Sequence, residues 1–388
     1  MPAAEYRIVA INPGSTSTKF AVYADERPCL VKTIRHSDAD LAPFRGRPIL
    51  DQQEFRARQI EAALRESGYA IDSVWGAGAP PFREAEAGPV LDAVVGRGGL
   101  LPPVSGGTYV VNEATLEELR LAKRGEHAAN LGAFLAHTIA QKAGVEAYIV
   151  DPVSVDEWPD IARLSGSVQL QRQCLSHALN SKAVARRFAH EHGTSYDSLR
   201  LIVAHLGSGI SVSAHEAGRM IDTTNSREEG AFSTERAGTV PVMQLVDLCF
   251  SGNYTREEVE TLLFREGGLQ SYLGTKDLLK VEKRIAAGDA KAKTVFDAMV
   301  YQIAKDIGAT ATVLRGRVDA VLVTGGMAHS ERLVSALRER LGWIAPLAVY
   351  AGEDELQALV EGVLRVLRGE ESSRALGGTL VAAGNQRS

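Results

Sequence analysis

Short apolar runs separated by glycine turns open the chain and return in its second half. Each run consists mostly of β-favouring residues bounded by turn residues, a pattern typical of strands. The predicted strands are 6–12, 18–23, 29–34, 200–205, 210–215 and 219–223. The segments IVAINPGSTSTKFAVY and IVAHLGSGISVSAHE share one order of strand, Gly/Ser turn and strand, which indicates an internal duplication.

Helical spacing of apolar residues, in steps of three and four, fills the intervals between the strands. A capping box, Thr255-Arg-Glu-Glu258, starts one helical segment, and glycines follow the ends of several others. The predicted helices are 54–67, 130–142, 177–192, 255–267, 291–314 and 354–368, and a short buried strand is predicted over 318–323. Strands that alternate with helices predict a mixed-sheet α/β protein of two related domains, with a boundary near Asp151-Pro152.

Composition narrows the class of protein. The chain has 388 residues, 45% of them hydrophobic and 23% charged, which are values typical of globular proteins. The net charge is −5 and there is no basic stripe, so nucleic acid is not an expected partner. We expect a cytoplasmic protein with reduced thiols and no membrane segment. Its three cysteines are scattered, its start has no apolar signal core, and no apolar run reaches about 18 residues.

Three glycine turns are candidate anion sites. The turn Asn12–Thr18 combines hydroxyls with backbone N–H groups, a surface that can bind phosphate oxygens. It lacks the Gly-Lys-Ser/Thr end of a Walker A motif, and an ordinary Asn-Pro-Gly turn is the alternative interpretation. The turns His205–Gly209 and Thr324–Ser330 have glycines that let a phosphate approach the backbone closely. We expect a helix N-terminus directly after the third turn.

Charged side chains near these turns each allow two interpretations. Asp151 follows an apolar run, where it can bind Mg²⁺ at the carboxyl end of a strand or only cap the chain. Arg97 and Arg236 lie in glycine-flanked loops and either clamp an anion or are solvated surface residues.

Two histidines and two acids complete the candidates. His177 and His205 can donate hydrogen bonds to phosphoryl charge, or they can serve the structure alone. Asp354 and Glu355 start a predicted helix, where acids commonly act as caps and dipole partners; metal binding is the alternative.

Together these segments resemble the butyrate kinase branch of the acetokinase family. The segments run in family order across nearly the whole chain: INPGSTSTKFAVY (11–23), VVGRGGLLPPVSGGTYVVNEA (94–114), DPVSVDEW (151–158), HALNSKAVARR (177–187), AHLGSGISVSAHEAGRMIDT (204–223), FSTERAG (232–238), VTGGMAHS (323–330) and GEDELQALVEG (352–362). The resemblance implies a two-lobed, actin-like (ribonuclease H-like) duplicated α/β fold with mixed sheets and a central cleft. We expect lobes over 1–151 and 152–355, with the segment 356–388 packing back on the first lobe.

The resemblance also implies an activity, which is phosphoryl transfer from ATP, with Mg²⁺, to butanoate or a similar carboxylate, giving the acyl phosphate and ADP. It assigns catalytic roles to Arg236, His177, Asp151 and Arg97, although Arg97 is shifted a few positions from the first-lobe arginine of acetate kinases. It assigns phosphate or nucleotide contacts to Asn12, Ser15, Ser17, His205, Gly207, Ser208, Gly209, Gly325, Gly326 and Met327, and metal contacts to Asn12, Asp354 and Glu355. A homodimer or larger homo-oligomer is expected on the same ground.

Four positions depart from the family pattern. Ser208 and Ser213 stand where glycine is usual, Ser176 where an aromatic residue is usual, and Ala237 where serine is usual. None of these changes removes a charged group, so we expect activity to survive, while Ser176 leaves the preferred acyl chain length open. Two alternatives remain. One is a kinase that prefers acetate, propionate or isobutyrate, and the other is a nucleotide-switched module with the same fold.

Overall fold

The computed structural model describes residues 6–69 and 90–377, which fall into two compact units. The first unit comprises residues up to 155 and those from 354 onward, and the second comprises residues 156–353. The described strands are β1 (Arg7–Pro13), β2 (Ser17–Ala24), β3 (Arg27–Arg35), β4 (Ala93–Arg97), β5 (Thr108–Val110), β6 (Glu146–Val150), β7 (Arg200–Leu206), β8 (Ile210–Glu216), β9 (Arg219–Thr223), β10 (Ala320–Gly325), β11 (Leu347–Ala351) and β12 (Arg374–Ala375).

Helices connect these strands. The described α-helices are α1 (Asp38–Leu41), α2 (Gln53–Glu66), α3 (Glu113–Leu121), α4 (Asn130–Ala143), α5 (Asp160–Arg163), α6 (Ala178–Glu191), α7 (Val242–Phe250), α8 (Arg256–Phe264), α9 (Gly268–Leu273), α10 (Leu278–Ala286), α11 (Ala290–Val313), α12 (Glu331–Leu341) and α13 (Glu355–Leu367). Short 3₁₀ turns lie at Ala42–Phe44, Ile49–Gln52, Tyr196–Ser198 and Gly326–His329. None of the helices in the described ranges combines the length and apolarity that crossing a membrane requires.

A seven-stranded mixed sheet forms the centre of the first unit, in the order β12-β5-β6-β4-β1-β2-β3. The strands β1, β2 and β3 are antiparallel neighbours, whereas β4 joins β1 in parallel and β6 joins β4 in parallel. Alternate residues of β1, Val9 and Ile11, are buried in one core with Ile60 of α2 and Leu135 of α4. The helix α13 packs against β1, β4 and β6.

The second unit contains a five-stranded sheet in the order β11-β10-β7-β8-β9. Period-two alternation in β7 assigns its side chains to two separate cores. Ile202 and Ala204 lie in the core that contains α11, while Leu201 and Val203 pack with α6. The strands β7, β8 and β9 are antiparallel and β10 and β11 add in parallel, which is the arrangement of β1, β2, β3, β4 and β6. The predicted duplication is therefore confirmed at the level of sheet topology.

Most strongly periodic segments form the predicted elements. The helices expected over 54–67, 130–142, 177–192, 291–314 and 354–368 are α2, α4, α6, α11 and α13, with ends that agree within a few residues. The capping box at Thr255 and Glu258 forms as predicted and starts α8.

The expectation of a helix directly after the turn Thr324–Ser330 is confirmed. A 3₁₀ turn, Gly326–His329, lies within this segment, and α12 begins at Glu331, after Ser330, whose side chain accepts a hydrogen bond from the Leu333 N–H. The helix starts there because Ser330 caps its exposed N–H groups.

Candidate active site

The second glycine turn and Arg236 lie against each other in the second unit. A Cβ atom at Gly209 would be 2.5 Å from Arg236 Nη1 and 2.9 Å from Cζ, so only glycine leaves room for the guanidinium. Arg236 Nη1 also donates to the Ser226 carbonyl at 2.8 Å. The hydroxyl of Ser233 accepts from the Arg236 backbone N–H and donates to the carbonyl of Ser208. The loop that carries Arg236 therefore contacts the turn twice, through Ser233 at Ser208 and through the guanidinium at Gly209.

Burial affects the charge of this arginine. Desolvation lowers the pKa of Arg236, with a further lowering from the neighbouring Arg227 and an opposing contribution from Glu235. A guanidinium has a very high ordinary pKa, and Arg236 remains a cation at neutral pH. The interpretation of Arg236 as a solvated surface residue is wrong, because the side chain is half-buried against the turn.

His177 and His205 form a stacked pair beside the same turn. Their ring centroids are 3.8 Å apart with an interplanar angle of 10°. His177 Nδ1 is 2.9 Å from the Ser211 hydroxyl, and His205 Nδ1 is 2.9 Å from Asn180 Oδ1. Nδ1 of His205 thus faces the amide of Asn180, and its Nε2 faces the turn.

A carboxylate at this turn is not singled out by the sequence pattern. Glu353 Oε1 lies 3.0 Å from His205 Nε2, and a Cβ at Gly207 would be 3.1 Å from each of these two atoms. The acidic run 353–355 is the signal that could have pointed to Glu353, but two of its three acids belong to the start of α13.

The third glycine turn packs under the second. Gly325 has φ of 89°, in the left-handed region that favours glycine, and a Cβ there would be 2.4 Å from the Leu206 carbonyl oxygen. Gly326 is exposed, and apart from its chain neighbours no heavy atom of the described residues lies within 4 Å of its Cβ position, so its backbone is open to a ligand. The side chain of Met327 is buried in the core of the second unit, which leaves its backbone as the group that a nucleotide could contact.

In the first unit, three predicted residues meet at the carboxyl ends of neighbouring parallel strands. Asn12 lies near the end of β1 and Arg97 ends β4, while Glu355 begins α13. Arg97 Nη1 is 2.7 Å from Glu355 Oε1 and 2.9 Å from Oε2, and Asn12 Nδ2 donates to Oε2. Arg97, Asn12 and Glu355 thus form one charged cluster.

Asp151 follows β6, as predicted, and is almost completely buried. Its Oδ1 accepts the Gly107 N–H at 2.7 Å and its own N–H donates to the Gly107 carbonyl at 3.0 Å. The residue has φ of 36°, a strained region for a non-glycine residue. The carboxylate is thus held by the backbone of a facing loop at the same strand edge as Arg97.

The donor set of the first-unit cluster suits Mg²⁺ only in part. Magnesium prefers oxygen ligands and is usually held by one or two carboxylates together with substrate phosphates and water. Glu355 supplies two oxygens and Asn12 keeps its amide oxygen, because its nitrogen is the atom that donates to Glu355. Asp354 is exposed and makes no side-chain cap to α13. Among the described residues, no group of three or more His, Cys, Asp or Glu side chains is arranged to hold a metal ion alone.

Ser15 and Ser17 belong to the first hairpin turn, where Ser15 is exposed and Ser17 is half-buried. The structure adds a residue that the sequence motifs do not contain. Arg56 of α2 is completely buried beneath this turn and donates to its carbonyl groups. The helical periodicity of 54–67 predicts a core-facing position at residue 56, but not that an arginine would occupy it.

The departure at Ser213 has a structural role. Its buried hydroxyl is 3.2 Å from the Val203 carbonyl, to which it donates, and 2.8 Å from His215 Nε2. His215 Nδ1 is in turn 2.6 Å from the Tyr196 hydroxyl. Serine in place of glycine therefore completes a buried polar chain between β7 and β8.

The sequence of the second unit matches a known family. The family model Acetate_kinase, described as the acetokinase family, aligns with residues 169–354. The second unit carries the acetokinase sequence pattern. The matched segment includes His177, His205, Arg236 and the second and third glycine turns.

Solved structures extend the likeness of fold to more than nine-tenths of the chain. The acetate kinase of Porphyromonas gingivalis is 16% identical with a TM-score of 0.71, over 93% of this chain and 100% of its own. The acetate kinase of Entamoeba histolytica is 17% identical with a TM-score of 0.70, over 92% and 98%. A propionate kinase from Francisella tularensis subsp. tularensis SCHU S4 is 17% identical with a TM-score of 0.66, over 92% and 98%. At this identity the likeness establishes the fold, which is the duplicated, actin-like α/β fold with two mixed sheets.

Proposed function

We propose that the chain is a carboxylate kinase of the acetokinase type, which phosphorylates a short carboxylic acid with ATP. The observation that carries this proposal is the position of the Arg236 guanidinium, packed on Gly209 of a glycine turn within a segment of acetokinase sequence. A guanidinium and exposed turn backbone together favour a transferring phosphoryl group over any uncharged ligand.

The chemistry needs positioning and charge neutralisation more than acid–base catalysis. A carboxylic acid substrate is ionised at neutral pH, since its pKa is close to that of a Glu side chain, so no general base is required. Phosphoryl transfer then depends on holding two anions in line and on stabilising the charge on the phosphoryl oxygens. In the second unit Arg236 would supply a bidentate cation, and His177 would donate to a phosphoryl oxygen through Nε2, because Nδ1 faces Ser211.

In the first unit the cluster of Asn12, Arg97 and Glu355 would bind the metal ion and the carboxylate of the substrate. Glu355 and Asn12 would bind Mg²⁺, which on binding would neutralise charge on the nucleotide phosphates. Arg97 would pass from Glu355 to the substrate carboxylate, since the same planar fork suits both carboxylates. Asp151, held by Gly107 at the same strand edge, would stabilise the loop that borders this cluster.

Butanoate is the acid that we propose, because the ordered segments resemble the butyrate kinase branch most closely. Preference for a shorter acid is the second candidate, favoured by the names of the structural neighbours, which are acetate and propionate kinases.

A panel of acids tests this proposal. Acyl phosphate is trapped with hydroxylamine and measured for acetate, propionate, butanoate and isobutyrate at a fixed concentration of MgATP. The highest kcat/KM with a four-carbon acid supports butanoate or its branched isomer, and the highest value with acetate or propionate supports the second candidate. Hydroxamate formed from none of the four acids would contradict the proposed function.

A further inference from the structure

A buried arginine supports the first hairpin turn from below. Arg56 has no exposed surface, and its guanidinium points at the backbone of the turn. Nη1 donates to the carbonyls of Gly14 at 2.7 Å and Ser17 at 3.1 Å, and Nη2 donates to the carbonyl of Ser15 at 2.9 Å. One side chain on α2 therefore holds three backbone carbonyls of the turn between β1 and β2.

The remaining N–H groups of this guanidinium are also used. Nε and Nη2 donate to Gln52 Oε1, in the 3₁₀ turn directly before α2, at 3.0 and 2.7 Å, and Nη1 is 3.1 Å from Thr18 Oγ1. In the described part of the chain no carboxylate forms an ion pair with Arg56. The partners of Arg56 are therefore neutral oxygens.

These contacts give the turn two different faces. All four carbonyls from residue 14 to residue 17 accept from the protein side, three from Arg56 and that of Thr16 from the His36 N–H at 2.9 Å. By contrast, the N–H groups of Ser15 and Thr16 have no acceptor among the described residues, and both side chains are exposed. The outer face of the turn thus offers N–H and hydroxyl donors without competing carbonyls, which is what an anion requires.

The charge of Arg56 acts in the same direction. Desolvation lowers the pKa of Arg56 to about 10, so the side chain remains protonated at neutral pH. A buried cation without a counter-ion is costly, and the carbonyl dipoles offset that cost only in part. An anion on the outer face of the turn would complete the compensation across one layer of backbone.

We propose that Arg56 is a positioning residue for the phosphates of the nucleotide, acting through the carbonyls of the turn and never touching the ligand. This inference rests on the proposed function, because it takes the anion at the turn to be a phosphate of ATP. The guanidinium offers both a forked set of N–H donors and a positive charge. Substitutions can separate the contribution of each to nucleotide binding.

Two substitutions and a matched control test the role. Arg56→Met keeps the stem and removes both charge and donors, whereas Arg56→Lys keeps the charge and loses the fork. We expect the KM for ATP to rise about tenfold or more in Arg56→Met and by a smaller factor in Arg56→Lys, while the KM for the acid changes less than about twofold. Arg58→Met is the control, since Arg58 lies on the same helix with a 73% exposed side chain paired to Glu54.

A binding measurement separates this inference from the proposed function. Calorimetry with MgATP reports the nucleotide Kd of the wild type and variants whichever acid is phosphorylated, so an inactive wild type would overturn the activity and leave this test intact. A folded Arg56→Met or Arg56→Lys variant that binds MgATP as tightly as the wild type would overturn the positioning role. If both variants fail to fold, hydrogen exchange on the wild type decides. Protection of the amides of Ser15 and Thr16 by MgATP is expected, and unchanged exchange would refute the inference.

Discussion

Gly209 determines how closely the guanidinium of Arg236 can approach the second glycine turn. Its backbone angles are open to other residues, but its Cβ position overlaps the end of the Arg236 side chain, 2.5 Å from Nη1. The constraint therefore falls on a flexible side chain and not on the backbone. Fold and function should respond differently to a methyl group at this position.

We predict that Gly209→Ala folds with a thermal midpoint within a few degrees of the wild type but loses turnover by about 10²-fold, because the displaced guanidinium no longer meets the phosphoryl group. Steady-state kinetics with hydroxamate detection and a thermal melt provide the two measurements. Gly166→Ala is the control, since within residues 6–69 and 90–377 no heavy atom beyond its chain neighbours lies within 4 Å of its Cβ position. Wild-type turnover in folded Gly209→Ala would show that Arg236 does not act from the place described.

Prediction from sequence succeeds at the residue level where a motif fixes a backbone shape. The predicted glycine turns follow strands in the structure, and Arg236 lies in a loop beside one of them, as its glycine-flanked motif predicts. Arg56 and Glu353 do not belong to such a motif. Arg56 is recognisable only once α2 is packed under the hairpin, and Glu353 only once the sheet brings it to His205 at the end of β7. Both roles depend on contacts between segments far apart in the chain.

At the level of elements, the long helix α11 supports the loop that carries Arg236. Asp306 of α11 accepts the Ala231 N–H at 2.6 Å, and Gln302 accepts the Phe232 N–H at 3.2 Å. Desolvation raises the pKa of Asp306 to about 6, opposed by the Ala231 N–H and Lys305 and assisted by the charge of Glu229. The loop is thus fastened to a carboxylate that is partly protonated in mildly acidic solution.

This raised pKa predicts a pH-dependent stability. The folded state holds the proton more tightly than the unfolded state, so the stabilisation is complete below the ordinary value of 3.8 and is lost as the pH rises through about 6. Asp306→Asn keeps an oxygen acceptor for Ala231 without a charge to desolvate. Its advantage over the wild type should therefore grow between pH 4.5 and pH 7.5, by about 1 to 3 kcal/mol.

Urea unfolding midpoints at the two pH values measure this difference. Asp297→Asn is the matched control, because Asp297 lies on the same helix, is half-exposed and pairs only with Lys293 in the described contacts. If Asp306→Asn differs in stability from the wild type by the same amount at both pH values, burial does not raise the pKa of Asp306.

Sequence periodicity predicts long amphipathic helices and hairpin strands well, and it misses some of the short parallel strands. The strands β4 and β11 each span five residues and lie in parallel with their neighbours. Parallel strands lack the alternation of apolar and polar residues that marks a strand with one exposed face. The position of β4 in the middle of the first sheet becomes clear only from its pairing with β1 and β6.

At the scale of the whole chain, two units repeat one strand order and place comparable turns at comparable strand ends. The hairpin between β1 and β2 and the hairpin between β7 and β8 both carry groups that can donate hydrogen bonds to a phosphate. The chemical side chains beyond these hairpins differ, with a carboxylate and an arginine in the first unit and two histidines and an arginine in the second. The duplication therefore explains the scaffold, and divergence of the loops explains the separate roles that we propose. Assembly as a homodimer or larger oligomer stays a prediction.

The stoichiometry of ATP turnover tests the central claim most directly. ADP and hydroxamate are measured together in the presence and absence of a short acid, for the wild type and for Arg236→Ala, with Arg256→Ala on the exposed face of α8 as the control. We predict that ADP forms only with the acid and one for one with hydroxamate, and that Arg236→Ala lowers both by about 10³- to 10⁵-fold while Arg256→Ala lowers neither. ADP formed at the same rate without any acid, or undiminished turnover in Arg236→Ala, would contradict the account.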